Sequence, residues 1–256
     1  ESRGLGDVYK RQFSFLFKCV ELVKIWYYKP MDDIQRKKLR AVGALAVLVI
    51  AILTIFFLFL NAREKKNTAL ILRMFYSDMS QTFQFSMNSN GAPGEWGWHG
   101  GYKNADLIDS YIAHYLRISE KCIKKTGTCM PDVDYKTLNG KSANINLSKL
   151  PSVRLNNGIA FAVESIGSCK KTNSPCALVY VDINGVEEPN TFGKDLFVFM
   201  IVNSNSVPFI PYNVHLSQDD IVHHTKYGCS KKSEIAMYCS ALIHSKGWVI
   251  DKNYPW

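Results

Sequence analysis

Four oxygen-bearing side chains fall close together late in the chain: Asp182 and Asn184 in Asp182-Ile183-Asn184-Gly185, then Asn190 and Asp195. Two carboxylates and two amides are the donor types that calcium takes, about six to eight oxygens in all, and Asp-x-Asn-Gly begins like a calcium loop. The full twelve-residue helix-loop-helix pattern is missing. The alternative is a turn in which Asp and Asn bond their own backbone and Gly supplies positive φ. An ion held here would pin the loop rather than catalyse. A second group, His215, His223 and His224 with Asp219 and Asp220, has the residue types of a metal or acid–base site. It lacks ligand spacing on a regular helix face and reads as a solvated loop. No Gly-x-Ser-x-Gly, phosphate loop, HExxH or dinucleotide fingerprint occurs, so nothing points to an enzyme.

Seven cysteines complete the reactive inventory. Cys19 stands apart near the start. The other six form three local pairs by spacing: Cys122 with Cys129, Cys169 with Cys176, and Cys229 with Cys239. Six cysteines allow 15 pairings, but an even number in one stretch predicts disulfides in an exported domain. Zinc would ask for CxxC-type spacing, which is absent. Trp96 and Trp98 lie in a glycine-rich loop, Gly94–Gly101, and are read either as a ligand platform or as rings folded back on the core. Asn146-Leu147-Ser148 fits a glycosylation acceptor.

These residues must be positioned by something, and the chain is organised around one stretch. Ala41–Leu60 holds twenty residues with no charge and a single hydroxyl, Thr54. As a helix this run spans roughly 30 Å, the thickness of a bilayer's hydrocarbon core. Arg36, Lys37, Lys38 and Arg40 precede it; Arg63, Lys65 and Lys66 follow it. Basic collars at both ends suit a membrane anchor with its N-terminal side inside, rather than a soluble core helix or a cleaved signal peptide. Beyond it Ile71, Phe75, Met79, Phe83 and Met87 recur every fourth residue beside Leu72 and Tyr76. The helix is therefore expected to continue as an amphipathic segment to Asn90, before Gly91 and Pro93. Residues 1–12 resemble a translated sequencing-adapter scar. Residues 1–30 accordingly read as a non-native prefix, with Met31 the natural start.

The net charge is +9, of which +3 lies in residues 1–30 (six Lys/Arg against three Asp/Glu). Much of the remainder is the collars, so the pI of 9.1 implies membrane lipid and no nucleic acid. The expected organisation is a prefix over 1–30, a cytoplasmic basic leader over 31–40, a transmembrane helix over 41–60, its amphipathic continuation over 61–90, and an extracytoplasmic domain over 91–256. Within that domain a helix is expected from Asn104 or Asp106 to about Glu120. Strands are expected over Asn144–Leu150, Ser152–Leu155, Ile159–Glu164, Ala177–Ile183, Leu196–Val202 and Val207–Pro211, and a short helix over Ser233–Ser245. Hairpin-length links between sequential strands imply an antiparallel sheet, so the class is α+β.

Three segments carry a resemblance. The N-terminal apolar helix feeds a disulfide-bearing β-meander; Val181–Phe199 reads Asp-x-Asn-Gly, then Pro-Asn, then Gly-x-Asp and an apolar strand; Cys239–Trp248 closes on Gly-Trp. Together they resemble the type IV pilin and type II secretion pseudopilin family of bacteria, over roughly residues 31–256. The resemblance implies a pilin-like fold and a single-pass protein of the bacterial inner membrane, with its domain in the periplasm or at the cell surface. Its partners would be other pilin or pseudopilin subunits, met through the N-terminal helix. It also implies leader cleavage, with Gly43 the matching position. The family's Phe-Thr-Leu-x-Glu does not follow: Leu48 stands where the Glu would be after cleavage at Gly43. A membrane-embedded carboxylate is kept for a partner. Its absence leaves two readings open beside a filament or pseudopilus subunit: a non-polymerising tethered binding module with the same fold, and an anchored hydrolase using the histidine loop.

Overall fold

A computed structural model of the chain describes residues 32–98, 105–123 and 129–256. The prefix, Cys19, the Met31 start, Asn104 and the last three residues of the tryptophan loop, 99–101, lie outside the described residues. The chain divides into two compact units, residues 1–62 and 63–256. In the first, the apolar run is helical and all its side chains are exposed. It forms part of helix α1, Asp33–Asn90, whose first turn is capped by Asp32 Oδ1 accepting from Gln35 N at 2.8 Å. This is the one helix among the described residues long and apolar enough to cross a membrane.

The second unit begins at Arg63, within the same helix. Leu72, Phe75, Met79 and Phe83 are its deepest side chains, with Thr68, Ala69, Thr82 and Ser86 alongside. Phe75, Met79 and Phe83 are the middle of the stripe the fourfold spacing picks out; at its ends Ile71 and Met87 are only half-buried, and Leu72, Thr68 and Ser86 take the buried positions beside them. A drift of this kind follows from 3.6 residues per turn. Gly91 ends the helix at φ +74°, its N–H bonded to the Met87 carbonyl at 3.0 Å.

Next comes a short mixed run: α2 (Ala105–Leu107), a π turn (Ile108–Ile112) and a 3-10 turn (Ala113–Tyr115). The expected helix to Glu120 thus stops early. Residues 118–122 instead pair antiparallel with residues 152–155 at the edge of the sheet, which supplies their backbone hydrogen bonds in place of helical ones. The sheet is a six-stranded antiparallel meander in sequence order: β1 (Ile118–Cys122), β2 (Ser152–Leu155), β3 (Ala160–Ser165), β4 (Pro175–Asp182), β5 (Leu196–Val202) and β6 (Phe209–Pro211). The architecture is α+β. Asn144–Leu150 is not a strand: Asn144 is left-handed at φ +54°, and the segment bonds the loop before it, Tyr135 N to Ile145 O at 2.9 Å.

Every residue of β5 is buried. Against the sheet, Phe75 meets Phe161, Phe199 and Phe209 with ring centroids 5.9, 5.9 and 6.1 Å away. Two short helices finish the domain, α3 (Gln218–His223) and α4 (Cys239–Ser245). The sequence reading places α3 in a loop and starts the last helix at Ser233. Ala236 at φ +63° breaks any helix there, and residues 234, 235 and 238 instead donate to the carbonyls of Thr225, Lys226 and Tyr227.

Candidate functional site

The turn between β4 and β5 gathers all four oxygen-bearing residues. β4 ends on Asp182 and β5 starts one residue after Asp195, so a single strand pair delivers both carboxylates. Both are buried. Asp182 Oδ2 accepts from the Tyr135 hydroxyl at 2.7 Å, and its Oδ1 from Asn184 N at 3.2 Å. Asp195 accepts from the backbone N–H of Asn190 at 2.6 Å and of Thr191 at 2.5 Å. Asn184 Nδ2 donates to the Glu188 carbonyl at 3.2 Å. The turn therefore closes largely on itself, with Gly185 at φ +75°. A Cβ there would come within 2.9 Å of the Gly158 carbonyl, in the β2–β3 turn.

Burial dominates the electrostatics. It pushes the Asp182 carboxyl up to about 8, with the neighbouring Asp195 charge adding to the rise and the Tyr135 hydrogen bond opposing it. Asp195 is pushed up to about 6 by burial, against the backbone N–H bonds that favour its charged form. Tyr135 is raised as well, by burial and by the Asp182 charge. Two buried amide oxygens, Asn184 Oδ1 and Asn190 Oδ1, have no hydrogen-bond partner among the described residues. Orphaned amide oxygens and two buried carboxylates in one turn are chemically suited to a hard cation of the calcium type. The four residues that would hold it are Asp182, Asn184, Asn190 and Asp195; such an ion would neutralise the carboxylates and fix the turn. Tyr135, 47 residues away in sequence from Asp182, was beyond reach of any local pattern.

The histidines do not assemble. His223, at the end of α3, faces Asp219 with Nε2 to Oδ1 at 3.7 Å, both exposed. His224 Nδ1 accepts the N–H of Lys226 and Tyr227 at 3.2 and 3.1 Å, and its ring stacks on Tyr227. That is a structural role. His215 is exposed. The tryptophans are core residues: Trp96 lies between Phe83 and Tyr111 at 5.6 and 4.6 Å, and each indole N–H is bonded within its own loop, to the Gly91 and Pro93 carbonyls. Asn146 Nδ2 and Ser148 Oγ both donate to Asp132, at 2.9 and 2.8 Å.

The six later cysteines form Cys122–Cys129, Cys169–Cys176 and Cys229–Cys239. The Glu120 carboxylate lies beside the first pair, but the two sulfurs are bonded to each other and are not free to ligate a metal. One apolar helix fit to span a bilayer and three closed disulfides together point to a membrane-anchored chain whose domain sits in an oxidising compartment.

The profile of DUF6613, a family of unknown function, matches residues 58–256, and the chain belongs to that family. No curated protein matches the chain, and no solved structure does.

Proposed function

We propose that this member of DUF6613 is a non-enzymatic structural or assembly subunit, pilin-like in plan, held in a bacterial inner membrane with its disulfide-tied domain outside the cytoplasm. The observation that carries this reading is α1 itself. One uninterrupted helix is wholly exposed and apolar over Ala41–Leu60, and from Thr68 onward it buries a stripe against an antiparallel meander. An exposed apolar helix in lipid is free to pack against copies of itself or against related helices. Association there rests on close packing rather than on the hydrophobic effect. The turn Asp182–Asp195, with its orphaned oxygens, then serves as an internal fastening of the domain.

The test is photo-crosslinking in membranes. A benzoylphenylalanine replacing Leu48, Ile52 or Ile55 is expected to give crosslinks to another single-pass subunit or to a second copy, strongest along one helix face. Uniform labelling of lipid at all three positions would sink the assembly role.

Leu48 favours a second reading, because the carboxylate that pilin-type assembly uses is absent from that position. On that reading the chain is a permanent tether for a binding module. Co-expression with a prepilin peptidase separates the two. An intact mass lacking the residues before Gly43 or Ala44 supports the subunit; an unprocessed mass supports the tether.

A further inference from the structure

Residues 248–256 return along α1 toward the point where the domain begins. Trp248 packs on Tyr76, with ring centroids 5.1 Å apart, and Trp256 lies against Lys65, whose Nζ sits 5.7 Å from the ring centroid. Tyr76 and Lys65 are eleven residues apart, about 16 Å of helix. The segment is held there by polar contacts as well: Tyr254 Oη and Trp256 Nε1 both donate to the Gly193 carbonyl at 2.7 Å. Gly193 has little freedom, since φ is +77° and a Cβ would come within 2.7 Å of Cys239 Sγ. So Trp256 is fixed at one level, half-exposed, between a lysine and a rigid turn.

That level matters because of chain connectivity. Lys65 follows Leu60, the last residue of the apolar run, by five residues of one helix. Five residues rise about 7.5 Å, comparable to the headgroup layer on one side of a bilayer. Trp and Lys are the residue types that settle at this depth, the indole with its apolar body and polar N–H, the lysine with its charge turned to water or phosphate. Exposed Lys66 and half-exposed Lys194, next to Gly193, add positive charge. The acidic groups nearby are exposed Glu64 and Asp251; the Lys246 ammonium already holds Asp251.

We propose that this end of the domain is a headgroup-binding foot: Trp256, seated between Lys65 and the Gly193 carbonyl, lies in the headgroup layer, and Lys65, Lys66 and Lys194 take the phosphates of anionic phospholipids. The inference rests on the membrane-anchor reading. It goes beyond that reading by giving the domain its own lipid contact, which the anchor alone does not require.

The test uses the full chain reconstituted into vesicles of phosphatidylcholine, with or without phosphatidylglycerol, doped with a lipid carrying a nitroxide on its headgroup. Flotation first establishes that the chain is in the vesicles. Tryptophan quenching in the wild type is expected to exceed that of Trp256→Phe and to match that of Trp248→Phe, since Trp248 sits some 16 Å further along the helix. The extra quenching is expected to grow with phosphatidylglycerol and to lose that growth in Lys65→Gln/Lys66→Gln, which keeps every tryptophan. A chain that does not float would overturn anchor and foot together. A chain that floats, with Trp256→Phe quenched as strongly as the wild type, would overturn the foot alone. So would quenching indifferent to phosphatidylglycerol in the wild type.

Discussion

Asp182 shows what burial does to a carboxyl whose company is one hydroxyl, of Tyr135, and two backbone N–H groups, of Asn184 and Gly185. Its folded-state value of about 8 lies above the ordinary 3.8, and Asp195 at about 6 lies above its own. Both groups therefore hold protons in the folded state that the unfolded chain releases. The stability they contribute is complete below about pH 4 and is lost as pH rises through about 6 and then 8. In calcium-free buffer the melting temperature is expected to fall between pH 5 and pH 8, and Asp182→Asn is expected to flatten that profile; an unchanged slope in the variant would reject Asp182 as the source. A cation on the orphaned oxygens acts in the opposite sense, since it favours the charged carboxylates. At pH 8 calcium is expected to raise the melting temperature and Asn190→Ala to abolish the rise. No response to calcium or to chelator would remove the ion. The four ligand candidates were legible because they share one turn. Tyr135 was not, because only the folded sheet brings it to Asp182.

At the level of elements, the buried strands were the plainest in the sequence. β5 was readable to the residue from an unbroken apolar run between turn residues, Leu196–Val202. Errors arose where local pattern and tertiary pairing disagreed. Ile145 and Leu147 alternate like a strand, but left-handed Asn144 turns the chain into a loop whose polar groups Asp132 and Tyr135 satisfy. Residues 118–120 looked like the tail of a helix, and the sheet edge claimed them as part of the strand Ile118–Cys122. The aromatic contact between α1 and the sheet is where the domain is most exposed to mutation. Phe75→Ala removes a ring that meets three others and is expected to cost about 3–5 kcal/mol. Chemical denaturation with an unchanged m-value would measure it, and a loss under about 1 kcal/mol would show that Phe75 is not central. Each disulfide closes a loop of seven to ten residues. Such loops stabilise by about 2–4 kcal/mol in the chain-entropy account.

The whole molecule was legible in outline because its largest signal, twenty uncharged residues between basic collars, needs no tertiary context. Membranes extracted with alkaline carbonate are expected to retain the full chain, and release of the intact protein into the supernatant would contradict the anchor. The contact of Trp256 with Lys65 was not legible, because it joins residues 191 positions apart in the chain. The crosslinks described above have a mechanical consequence. All three lie between Cys122 and Cys239, and α1 has no cysteine. Apart from the main chain itself, no crosslink ties the helix to the sheet, so a pull along the anchor loads none of the three disulfides. It is borne in shear by Leu72, Phe75, Met79 and Phe83 sliding against β5 and its neighbours, while the three stapled loops stay closed. Under tension the expected point of yield is the seam between the helix and the sheet.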